Sequence, residues 1–104
     1  MAVRIAADLM PGRSGNNYTA EFTGRHNAQA LERATEITVY GGVAANVIEV
    51  SDTDDGTVWR ASGAVIAASG LTHISSPPVC RAIRVAAEVA AAQPPVKIVV
   101  RHGL

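Results

Sequence analysis

An Asp-Gly pair bracketed by two β-branched runs constrains this chain more than any other stretch. Val47-Ile-Glu-Val50 leads into Ser51-Asp-Thr-Asp-Asp-Gly56, and Thr57-Val-Trp-Arg-Ala61 follows. Gly accepts the positive φ that a tight hairpin turn requires, so the pattern predicts a β-hairpin within 43–61. In the second run Thr57, Trp59 and Ala61 share one face, while Val58, Arg60 and Ser62 share the other. Trp59 carries the largest apolar area in the chain, and it is expected to point inward as the core anchor of the hairpin.

The rest of the chain reads as more short strands. Val3, Ile5 and Ala7 alternate with Arg4 and Ala6, and Pro11 to Asn17 is a loop rich in turn residues. Tyr18 to Phe22 is a brief strand that Gly24-Arg-His-Asn27 breaks. Asn27 to Ala34 holds helix formers behind Asn27 as N-cap, which predicts one short helix. Glu36-Ile-Thr-Val-Tyr40 alternates with Ile37 and Val39 on one face, and Gly41-Gly42 ends it. Gly63 to Ala68, Leu71 to Ile74 and Val96 to Arg101 complete the set.

Residues 76–93 have two readings. Ser76 as N-cap, Pro77 at the first helical position, the run of alanines and Pro94 as a stop describe a helix. Alternation instead sets Ile83, Val85, Ala87 and Val89 against Arg84, Ala86 and Glu88, which describes a strand ending in a turn at 90–93. A helix would crowd Arg81, Arg84 and Glu88 onto a face rich in valine and alanine, so the strand is the preferred reading. The fold class expected is therefore all-β: one antiparallel β-sandwich of seven to nine short strands, with a single short helix.

A chain of 104 residues is one domain. Its hydrophobic fraction is 48%, yet only Tyr18, Phe22, Tyr40 and Trp59 are aromatic, so alanine and valine supply the bulk. Alanine adds little area on burial, and a thin core in a small domain points to burial against a partner. Nine basic and nine acidic residues balance, and the eight arginines are scattered singly, which argues against nucleic acid as a partner. Cys80 is the only cysteine and has no intramolecular disulfide partner, which suits a reducing cytoplasm. No apolar run approaches the roughly 20 residues of a membrane helix, and Met1 to Ala7 does not read as a signal peptide. The chain is accordingly expected to be soluble, with no membrane partner.

No catalytic, cofactor or metal motif stands out. Asp52, Asp54 and Asp55 beside Gly56 miss the calcium-loop spacing, because with Gly56 sixth the twelfth position falls on Ser62 rather than Glu. They read as a solvated turn. His26, His73 and His102 lack ligand spacing, Cys80 reads as a buried structural thiol, and Gly41-Gly42 has no Walker lysine. The sequence therefore predicts a protein that is not an enzyme, with no cofactor and no metal.

A resemblance rests on several motifs taken together: Val47-Ile-Glu-Val-Ser-Asp-Thr-Asp-Asp-Gly-Thr-Val-Trp59, Ser75-Ser-Pro-Pro78, Ala82-Ile-Arg-Val85 and Val96-Lys-Ile-Val-Val100. Over residues 36–104 this order resembles small jelly-roll-like structural proteins of tailed bacteriophages, and most of all capsid decoration (cement) proteins. The resemblance implies a non-enzymatic homotrimer on the virion surface, made in the host cytoplasm, that clamps contacts between major capsid protein subunits. It divides the chain into a sandwich at 36–104 and a segment at 1–35 that is either an arm or a pair of edge strands. Arg4, Arg13 and Arg25 would meet acidic groups of the capsid, and Ala64, Ala67 and Ala68 would lie at intersubunit contacts. The alternative is a carbohydrate-binding or adhesion module of a phage fibre or tail, with Trp59 or Tyr40 stacking on a sugar.

Overall fold

The computed structural model describes residues 4–8, 19–86 and 96–103. Eight strands and one helix are seen among them: β1 (Arg4–Asp8), β2 (Thr19–Phe22), α1 (Arg25–Glu32), β3 (Glu36–Gly41), β4 (Val47–Ser51), β5 (Arg60–Val65), β6 (Leu71–Ser75), β7 (Ala82–Ala86) and β8 (Val96–Gly103). They form two antiparallel four-stranded sheets, ordered β1-β8-β3-β6 and β2-β7-β4-β5.

The pairing is nested: β1 with β8, β2 with β7, β3 with β6, and β4 with β5. That is one long antiparallel ribbon folded at the β4–β5 turn. Rolling it up adds the pairs β3·β8 and β4·β7 and splits the ribbon between two layers. The result is an all-β sandwich with jelly-roll strand order. The Asp-Gly hairpin is the tip of this ribbon, so the strongest local signal in the sequence sits where the topology turns.

Alternation within each strand builds the core. In the second sheet Phe22, Ile83 and Val50 lie side by side across three strands, and Val85 and Ile48 lie side by side across β7 and β4. Ile37 and Val39 of β3 face them from the first sheet together with Ile98 and Val100 of β8, and all of these are buried. Ala30 and Leu31 of α1, Ile66 and Cys80 complete the cluster. The strand reading of 82–86 holds, with Ile83 and Val85 inward; residues 87–95, including the expected turn, lie outside the described residues.

Two local expectations change. The helix begins at Arg25 behind Gly24, not behind Asn27, which is buried and directs its Nδ2 to the Thr23 carbonyl at 2.8 Å. Strand β5 begins at Arg60, because residues 52–59 are taken up by the turn. Within 1–35, which the sequence left as an arm or a pair of edge strands, β1 and β2 are the outer strands of the two sheets, and Phe22, Ala30 and Leu31 join the core. No boundary therefore separates α1 and these two strands from the sandwich, and residues 9–18 are outside the described set. Among the described residues no helix is long and apolar enough to cross a membrane.

Candidate functional site

The outer face of the second sheet carries a charged row. Glu21 of β2, Arg84 of β7 and Glu49 of β4 are register partners, each the polar member of an alternating strand. Arg84 Nε donates to Glu49 Oε1 at 3.0 Å, and Nη1 lies 3.7 Å from Glu21 Oε1. These side chains are about a quarter exposed, so the pairs are screened only in part.

Trp59 closes over this row. The Arg84 guanidinium carbon sits 4.5 Å from its ring centroid, a cation–π contact. Trp59 is half-buried and stands apart from the core cluster, so the expected inward anchor is an outer-face residue. The predicted phase holds in one respect: Ala61, two residues on, is the register partner of Glu49 on the same outer face. Periodicity fixed which residues share a face but not which face the core takes. An arginine flanked by two carboxylates provides a site for the indole that the tightly filled interior does not.

The turn beside Trp59 is held by its own side chains. Ser51 Oγ accepts from the Thr53 amide, Thr53 Oγ1 accepts from the Thr57 amide, and Thr57 Oγ1 donates to Asp55. The Thr57 hydroxyl first, and that of Thr53 after it, hold the Asp55 carboxyl below its usual range. Gly24 N donates to the Asp54 carbonyl at 2.6 Å and ties the turn to the start of α1. Between them lies an open cleft of about 660 Å³ lined by Thr23, Gly24, Thr53, Asp54, Asp55 and Thr57.

The three turn aspartates diverge. Asp52 pairs with Arg60 at 2.8 Å, Asp54 lies 3.8 Å from Arg81, and Asp55 takes the Thr57 hydroxyl. Among the described residues no group of three His, Cys, Asp or Glu side chains converges on one point. His26 is exposed on α1, His73 lies on β6 with Nδ1 3.3 Å from Thr38 Oγ1, and His102 is 2.9 Å from the Ala30 carbonyl. Cys80 is buried, and desolvation pushes its thiol up to about 11, away from nucleophilic character.

The other expected contact residues are dispersed. Arg25 is exposed at the start of α1, and Arg4 lies on β1 opposite Gly103. Arg13 is outside the described residues. Ala64 leans against the core, Ala67 is half-buried in the link after β5, and Ala68 is exposed in the following turn. Sequence reasoning missed the Glu21–Arg84–Glu49 row, whose only trace is one charged residue at the polar phase of each strand. The arrangement as a whole gathers charged and hydroxyl groups around one half-buried aromatic ring. A comparison with known protein families, with curated proteins and with solved structures returns no match.

Proposed function

We propose that this protein is a non-enzymatic structural component of a tailed phage that docks on the outside of the capsid and braces contacts between major capsid protein subunits. The observation that supports this reading most is the location of its unused apolar surface. The space between the sheets is occupied by the apolar cluster, while Val58, Val65, Leu71 and Val79 are each more than half exposed. Apolar side chains left outside a small sandwich are available for contact with other protein. The motifs of 47–100 that resemble decoration proteins add to it, and jelly rolls recur in viral capsid proteins. Fold alone does not give function, so the reading rests on this surface and these motifs together.

In this account the scattered arginines, including Arg4, Arg13 and Arg25, steer the protein onto acidic groups of the capsid, and the exposed apolar residues supply the contact area. The carbohydrate-binding alternative would stack a sugar on Trp59 or Tyr40; Arg84 already occupies one face of the Trp59 ring, while Tyr40 is 40% exposed. Gradient sedimentation of the protein with assembled capsids tests the proposal. Co-migration supports docking; migration as free protein, with Trp59 emission that responds to glycans, would support the alternative instead.

A further inference from the structure

The two sheets end differently on the side where the short link 66–70 joins β5 to β6. Strand β5, the edge of the second sheet, is guarded. Its register with β4 shifts between Ile48 and Glu49, Gly63 adopts φ +91°, and Arg60 pairs with Asp52 at its start. Bulges and charges of this kind prevent edge-to-edge pairing. Strand β6, the edge of the first sheet, has none of them: Leu71-Thr-His-Ile-Ser75 keeps unbroken register with β3 and contains no Lys, Arg, Asp, Glu or Pro.

Hydrogen-bond parity shows what this edge presents. Gly41 N donates to Gly70 O and Ser76 N to Thr35 O, so these are hydrogen-bonded pairs of the β3–β6 ladder. Alternation then directs the backbone groups of Thr72 and Ile74 to β3, and those of Leu71, His73 and Ser75 outward. At Leu71 the Ser69 hydroxyl partly blunts the edge, 3.4 Å from its N and 3.3 Å from its O. Among the described residues the outward groups of His73 and Ser75 meet no other strand.

We propose that the β6 edge pairs with β6 of a second copy, antiparallel about a two-fold axis at His73, joining the two first sheets into one of eight strands. The parity fits, because residues whose backbone groups point outward are those that exchange hydrogen bonds across such an axis. The symmetry sets His73 against His73, Leu71 against Ser75 and Thr72 against Ile74. A strand carrying fixed charges would meet like charges in its own copy; this one carries none, so pairing with a second copy meets no such repulsion. Leu71, 51% exposed, and its register partner Tyr40, 40% exposed, lie beside the seam and add apolar contact. A five-residue seam is far smaller than the roughly 800 Å² per partner of a standard stable interface, so the dimer is a weak, concentration-dependent one. This stoichiometry stands in place of the trimer that the resemblance implied, and it does not depend on capsid binding.

Native mass spectrometry or sedimentation of the full chain across the micromolar range tests it. Wild type should pass from monomer to dimer. His73→Lys sets two ammonium groups opposite each other and should weaken the dimer by about fivefold. Ser75→Pro removes an outward N–H at a position where an edge strand tolerates proline, and should weaken it as well. Ser69→Ala removes the blunting hydroxyl and should strengthen it. Circular dichroism confirms that each variant is folded; if Ser75→Pro fails to fold, His73→Lys and Ser69→Ala carry the test. A monomer throughout, a trimer, or a dimer indifferent to these substitutions overturns the proposal.

Discussion

The guanidinium of Arg84 lies 4.5 Å from the centroid of the Trp59 ring while its nitrogens reach Glu49 and Glu21 on the two neighbouring strands. One side chain thereby links three strands and fixes the lone tryptophan. Arg84→Ala should cost about 1–2 kcal/mol, combining a partly shielded cation–π contact with two ion pairs. It also leaves Glu21 and Glu49 as like charges flanking β7. Urea unfolding should show the loss, and Trp59 emission should shift to the red in the folded state.

Gly56 and Gly63 offer a matched pair. Both have positive φ, +70° and +91°, so a Cβ is strained at either. At Gly56 that Cβ would also lie 2.5 Å from Trp59 Cζ2, whereas at Gly63 nothing lies within 4 Å. Gly63→Ala should cost about 1 kcal/mol, and Gly56→Ala clearly more, with altered tryptophan emission. Equal costs and an unchanged spectrum would contradict the packing of Trp59 on the turn.

The core row Phe22–Ile83–Val50 predicts a different scale of effect. Ile83 is fully buried between the other two, so Ile83→Ala should cost about 2–5 kcal/mol. Val58 is 71% exposed, and Val58→Ala should stay within about 0.5 kcal/mol of wild type. Denaturant melts of the two variants side by side check this.

Cys80 makes stability depend on alkaline pH. Burial raises its folded pKa from 9.0 to about 11, so between those values the unfolded chain gives up a proton that the native thiol keeps. The thiol's contribution is fully present below pH 9.0 and is lost as pH rises through about 11. Cys80→Ala should flatten that part of the stability profile. Native Cys80 should also react slowly with alkylating reagents at pH 8, and at the normal rate once unfolded.

Much of the fold was legible because its determinants are local. Asp55-Gly56 marks the ribbon tip, and the alternation of Ile37 with Val39, of Ile83 with Val85 and of Ile98 with Val100 marks strands with one buried face. What was not legible depends on pairing. Nothing near Glu21 in the chain says that Arg84 and Glu49 lie beside it. Trp59 was expected inside because its area favours burial, but the side of the sheet it takes is set by the ribbon's roll, a long-range property. The helix start was misplaced because Asn27 lies inside the helix, buried and bound to the Thr23 carbonyl, while Gly24 is the residue before the first turn. The β6 edge was likewise invisible, since a strand's neighbours and the direction of its free N–H groups follow from topology alone.

We propose that the outer surface of this sandwich braces a capsid, and heating assembled tailed-phage capsids with and without the protein puts that proposal to the test. The protein should co-migrate with the particles and raise the temperature at which they release their contents. Particles that neither bind the protein nor gain stability from it would contradict the account.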